Sequence, residues 1–360
     1  MIQRRTLLQT GAAVALGAPA LVGFAQQTVT LKFHTFMSPQ SNVWLNMHKA
    51  WMDKVTKDSD GRIKFEAYPA MQLGGSPVQL YDQAKDGVVD VVWTLPGNTP
   101  GRFPRIEVFE LPFMMNNAEA TSKAYWEYVQ TVAKDEFREV HPIALQVHGP
   151  GVFHMREKLV RTADDLRGSK VRGPTRQITK MLGYLGATPV GMPLPQIPDA
   201  LSKGAINGCV IPWEVVPSVK VHELTKFHSE FDPAGGALYT TTFIMAMNRA
   251  KYASLPPDLK AIIDRNSGVE TSGWLGKTQQ AGDVAGRDSA VKQGNTIHTI
   301  PASEAQEFRR KARLVEVEWM QDMDKRGFNG KQLLDSAKSL IEKHGKTAAA
   351  PGKAAPAKKG

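Results

Sequence analysis

Cysteine is almost absent from these 360 residues: Cys209 stands alone, so no intrachain disulfide can form. It sits in an apolar run, AINGCVI, as a small buried hydrophobe rather than a reactive thiol. Catalytic signatures are also missing. HELTKFH resembles a zinc helix, but Lys226 stands where the second histidine is required, and GKT at 276–278 has Thr271 where a phosphate loop needs its first glycine. GPGVFH lacks the third glycine of a dinucleotide fingerprint, and no G-x-S-x-G elbow occurs. Nine histidines are scattered without a ligand spacing, so no enzyme, cofactor or metal site is expected, although capture of a cation together with a carboxylate stays open. The formal charge of +10 is not a nucleic-acid footprint. Arg4, Arg5, Lys346, Lys353, Lys358 and Lys359 lie near the ends, leaving about +4 for the body, and no basic stripe with interleaved aromatics appears.

What is present is ordered. Residues 1–25 have a basic start, an apolar middle too short and glycine-rich for a membrane span, and small residues before a cut, as in an export signal. The mature protein is therefore expected in the periplasm, by the Sec route or, given RRTLL, the twin-arginine route. From Thr28 the chain alternates strand, helix, strand, helix, strand to Trp93, which predicts a parallel sheet covered by helices. Further strands are expected at Pro142–Val147 and Leu238–Asn248, with HGPGVF breaking regular structure between lobes. KTAAAPGKAAPAKKG, 346–360, reads as a disordered tail.

The densest stretch runs from Asp164 to Glu214. In LRGSKVRGP, Gly173-Pro174 ends a short strand just after Arg172, so a guanidinium stands at a strand's carboxyl end, where open α/β sheets bind ligands. Its planar fork suits a carboxylate, although a surface ion pair would satisfy the spacing as well. Helix, strand, helix and strand follow, up to Ile211-Pro212.

YPAMQLGGSPVQLYDQAKDGVVDVVWT, ELPFMM, DDLRGSKVRGP, LGATPVGMPLPQIPDALSKGAINGCVIP and MNRAKYASLPPDLKAII, in this order within Thr28–His344, resemble the solute receptors of tripartite ATP-independent periplasmic (TRAP) transporters of the DctP-like type. The resemblance implies an α/β two-lobe periplasmic-binding-protein fold with a long helix spanning both lobes, for which Leu255–Gln293 is the candidate. Lobe I is expected from 28–149 and 238–277, and lobe II from 150–237 and 278–345. It also implies a receptor, expected to be a monomer, that hands its ligand to an integral-membrane permease, with Arg172 as the carboxylate-binding arginine.

Positions that carry polar contacts in the family's polar-acid and sugar-acid receptors fall here on Phe36, Leu95, Val152 and Ile211. A second carboxylate or a hydroxylated chain would lack partners, at roughly 1–3 kcal/mol for each unsatisfied group. Trp213, Trp93, Phe36, Phe153 and Tyr239 stand near strand ends and would wall a flat, apolar body. Thr94, Thr240 and His148 could bond an oxygen beside the carboxylate. The expected ligand is thus an aromatic or branched monocarboxylate, such as a 2-oxo or 2-hydroxy acid. A dicarboxylate or sugar-acid receptor, an exported hydrolase or lyase, and a signalling subunit are the alternatives. Arg102 and Arg105 are expected to brace their loop or meet the membrane partner.

Overall fold

The computed structural model describes residues 27–115 and 117–349. The alternating run at its start becomes β1 (Val29–Thr35), with Leu31 and Phe33 buried, and pairs in parallel with β2 (Ile63–Tyr68) and β3 (Val91–Thr94). A π-helical stretch, Val43–His48, leads into α1 (Lys49–Asp58), and a capping box between Ser76 and Gln79 opens the segment that ends in α2 (Leu80–Lys85). Later sequence completes this sheet. β10 (Thr242–Asn248) runs antiparallel between β3 and β4 (Val140–Val147), in the order β2-β1-β3-β10-β4. Between β3 and β4, α3 (Ala118–Val132) starts at Asn117, whose side chain accepts the Ala120 N–H.

The second sheet contains β5 (Gly151–Met155), β6 (Lys170–Gly173), β7 (Thr188–Gly191), β8 (Gly208–Pro212), β9 (Phe227–Phe231) and β11 (Thr296–Ile300), in the order β11-β9-β5-β8-β6-β7. Two helices, α4 (Arg176–Tyr184) and α5 (Ile197–Ser202), connect the parallel strands β6, β7 and β8, and α6 (Val221–Leu224) precedes β9. The carboxyl ends of these strands consequently open on one edge. The chain crosses between sheets at 148–150 and returns over 232–241. The break expected over HGPGVF is therefore confined to its first three residues, and the expected strand Leu238–Asn248 begins only at Thr242.

After β10 come α7 (Arg249–Ser254), α8 (Pro257–Arg265), α9 (Val269–Ala281) and α10 (Asp283–Lys292). The expected single helix from Leu255 is thus interrupted at 266–268, where Gly268 has φ +96°, and again at Gly282. The α9–α10 pair still spans both sheets, with α9 on α3 and β4 and α10 on the turn at 213–215. Glycine permits this approach. A Cβ at Gly286 would stand 1.9 Å from the Trp213 carbonyl oxygen.

Two helices finish the chain. α11 (Ala302–Lys325) packs on α4, and α12 (Gly330–Ala349) lies along α3, where Lys343 pairs with Glu127 at 2.6 Å. α12 therefore covers the first sheet's helix, not the second sheet with which it was expected, and its backbone continues to Ala349, past the expected start of the tail. The signal at 1–25 and residues 350–360 lie outside the described residues. Among the described residues no helix is long and apolar enough to cross a membrane.

A clasp centred on buried Glu107 is among the contacts that join the two halves. Glu107, in the turn Ile106–Glu110, accepts from Arg176 Nε at 2.7 and 2.8 Å and from Gln177 Nε2 at 2.8 Å, and Arg176 also reaches Asp322 at 3.0 Å. Nearby, Arg102 pairs with Asp82 and Glu139, and Arg105 with Asp135 and Glu136, so both arginines brace their loop.

Candidate ligand-binding site

The carboxyl ends of β6 and β8 frame a cavity facing the ends of β1, β3 and β10. Arg172, the third residue of β6, is 3% exposed. Its Nε donates to the Met192 carbonyl at 2.9 Å and its Nη1 to the Val210 carbonyl at 3.3 Å. Those bonds use two of five N–H groups and fix the fork in place. Among the described residues no carboxylate stands within ion-pair distance of it. Burial draws its pKa down, yet an arginine stays charged, so a bare cation lines an apolar chamber. Beside it, Cys209 is buried and its thiol is pushed up to about 12, as suits an inert packing residue.

The walls are aromatic on one side and aliphatic on the other. Trp93 and Phe243 stack at 4.3 Å and 12°, Phe36 tilts against Trp93 at 5.5 Å, and Tyr239 meets His148 edge-on at 5.5 Å. Pro174, Leu194, Ile211 and Val215 close the other side. Tyr239 can lie flat against β5 because residue 151 is glycine: a Cβ there would stand 1.9 Å from the ring. Its hydroxyl has no hydrogen-bond partner.

Of the ten residues singled out from the sequence, Arg172, Trp93, Phe36, His148, Ile211 and Tyr239 line this cavity. The other four do not. Trp213 turns under β8, where its indole N–H donates to Glu230 at 2.8 Å and its ring packs on His154 and His228. Phe153 points to the opposite face of β5, against Phe231 and Phe308. Thr94 donates to the Pro77 carbonyl and Thr240 to the His148 carbonyl. The three groups expected to bond an oxygen beside the carboxylate are thus engaged elsewhere. His148, too, has both ring nitrogens occupied, Nδ1–H by the Gly149 carbonyl and Nε2 by the Thr241 N–H at 3.1 Å, and burial lowers its pKa to about 4. Of the four apolar departures, Phe36, Leu95 and Ile211 line the cavity and Val152 does not.

Sequence reasoning missed Phe243, Glu214 and Gln279. Glu214 follows Trp213 and is buried in the lining; its Oε1 accepts from Gln279 Nε2 at 2.7 Å, and burial, with Asp283 nearby, raises its pKa to about 8. Under β10, Glu110 accepts from the Thr242 N–H and hydroxyl at 3.0 and 2.7 Å, and burial pushes it to about 7. Among the described residues no group of three or more His, Cys, Asp or Glu is placed to hold a metal ion. A fixed cation, a flat aromatic wall and a buried Glu214–Gln279 pair make a site for one carboxylate on a largely apolar body.

Solved structures carry the same architecture. A TRAP solute-binding protein from Rhodoferax ferrireducens T118, in complex with copurified benzoate, is 74% identical, with a TM-score of 0.89 over 89% of this chain and 100% of that one. A marine-metagenome TRAP solute-binding protein specific for aromatic acid ligands, in complex with 3-hydroxybenzoate, is 48% identical, with a TM-score of 0.87 over 88% of this chain and 99% of that one. A third, from Bordetella bronchiseptica with bound (R)- and (S)-mandelate, is 25% identical, with a TM-score of 0.80 over 88% and 99%. The family model for bacterial extracellular solute-binding proteins, family 7 (DctP), matches residues 33–321, and the chain belongs to that family.

Proposed function

We propose that this protein is a periplasmic receptor, with no catalysis of its own, that closes on an aromatic monocarboxylate of the benzoate type and delivers it to a TRAP permease. The observation that carries the reading is Arg172, buried, charged and without a counter-ion in a chamber walled by Trp93, Phe243 and Phe36. Uncompensated, such a charge costs several kcal/mol, and a carboxylate on the three remaining N–H groups offsets that cost. Arg172 is the only lysine or arginine among the described lining residues, so a second carboxylate would meet no cation. Because Thr94, Thr240 and His148 are engaged, a 2-oxo or 2-hydroxy oxygen gains less than the sequence suggested.

The moving parts are two lobes, one from 28–149 and 238–277 with α12 added, the other from 150–237 and the rest of 278–345. Support comes from the sorting of strands into two sheets and from the break at Gly282 between α9 and α10. Thermal unfolding against a panel of acids tests the reading. A ligand at about 100 times its Kd adds about 2.7 kcal/mol. Benzoate should raise the Tm, mandelate less, and succinate or galacturonate not at all; stabilisation by the last two without benzoate would overturn the aromatic reading.

A further inference from the structure

The cavity has a second polar end that the carboxylate does not need. Glu214 is 4% exposed and lines it, and while Oε1 takes the Gln279 N–H, Oε2 is buried without any partner. Behind it, Gln279 Oε1 accepts from Gln146 Nε2 at 3.0 Å, and both glutamines are buried. The chain of amides therefore runs toward Glu214 and stops there. Native proteins rarely leave such an atom unpaired, and in this lining it joins Trp93 Nε1 and the Tyr239 hydroxyl as a polar atom that a bound molecule can satisfy.

Glu214 does not serve as the counter-ion of Arg172. No ion pair joins the two: Arg172 on β6 holds the Met192 and Val210 carbonyls, while Glu214, just past β8, holds Gln279 of α9. Among the described residues no cation pairs with Glu214, and a second acid, Asp283, accepts its backbone N–H at 2.9 Å. An acid so placed keeps its proton, in line with its raised pKa. With Oε1 accepting from Gln279, the proton sits on Oε2, which becomes an O–H donor lacking an acceptor.

We infer that Glu214, steered by Gln279 and Gln146, is a specificity-determining residue that bonds a hydroxyl carried on the ligand's ring, which makes hydroxylated benzoates the preferred class. The inference rests on the reading of Arg172 as the carboxylate anchor. A ring hydroxyl accepts from Oε2–H, whereas benzoate leaves that donor bare. Sites built to bond a substrate hydroxyl discriminate strongly against the analogue that lacks it, because their own polar group is left unpaired.

Calorimetric titration of the mature protein with benzoate, 3-hydroxybenzoate and 4-hydroxybenzoate tests this. Wild type should bind the better hydroxybenzoate about tenfold more tightly than benzoate. In Glu214→Leu that ratio should collapse toward unity, and in Glu214→Gln, which keeps a donor and an acceptor, much of it should return. An undiminished preference in Glu214→Leu would overturn the assignment. Should the leucine variant not fold, the wild-type ratio decides, since no preference for either hydroxybenzoate overturns the proposal. If wild type binds none of the three acids, the anchor reading fails and takes this inference with it; if benzoate binds and Arg172→Met abolishes it, the anchor stands whatever Glu214 does.

Discussion

Replacing Arg172 by methionine separates the charge from the volume it fills. The guanidinium keeps three N–H groups free after bonding the Met192 and Val210 carbonyls. Two charge-assisted bonds to a carboxylate are worth roughly 1.5–3 kcal/mol each, so their loss removes about 3–6 kcal/mol of binding. At about 1.4 kcal/mol per tenfold, benzoate affinity should fall by roughly two to four powers of ten. Stability moves differently. The two carbonyls lose donors, at about 1–3 kcal/mol each, but the uncompensated buried charge also disappears, and its removal returns several kcal/mol. Arg172→Met should therefore abolish calorimetric binding while the ligand-free protein unfolds cooperatively near the wild-type temperature. A variant that binds benzoate within tenfold of wild type would refute the anchor, since no other described lining residue carries a fixed positive charge.

Two further expectations follow from packing and titration. Gly151→Ala drives a methyl into the Tyr239 ring, so it should cost about 1–3 kcal/mol in chemical denaturation and weaken benzoate binding through the displaced wall; a variant with unchanged values would contradict the contact. Glu110 is raised to about 7 by burial, so the folded state holds a proton that the unfolded chain releases above about 4.5. Its contribution is fully present below that lower value and is lost as pH rises to about 7. The Tm advantage of wild type over Glu110→Gln should accordingly shrink from pH 4.5 to 7 and level off above, and a pH-independent difference would show that the carboxyl titrates normally.

Arg172 was legible because glycine and proline after it force the strand to end, which fixes where its side chain emerges whatever the rest of the fold does. Phe36, Trp93 and Ile211 were legible for the same reason, as residues at or just beyond strand ends. Phe153 and Trp213 were not. Period two says that neighbouring strand residues face opposite ways, but it does not say which face meets the cleft; Phe153 took the α11 side, where Phe308 waits. Trp213 sits one residue past β8, in a turn whose direction is set by Gly286 of a helix 73 residues later. Gln279 and Glu214 left no local trace, because a buried amide on a glycine-rich helix and an acid after a tryptophan become a pair only when α9 crosses to the second sheet. The interruption at 266–268 did leave a local trace, Asn-Ser-Gly with its glycine at positive φ, which the expectation of one continuous helix overrode.

The clasp between Glu107 and Arg176 with Gln177 lies outside the cavity and touches whatever is inside not at all. If the proposed lobe closure forms it, its energy is the same for every cargo, and a term common to two ligands cancels from the ratio of their affinities. The molecule thus keeps two settings on separate residues. Under the proposed lobe closure, discrimination rests on the chamber, while the clasp outside it adds a holding term shared by all cargoes.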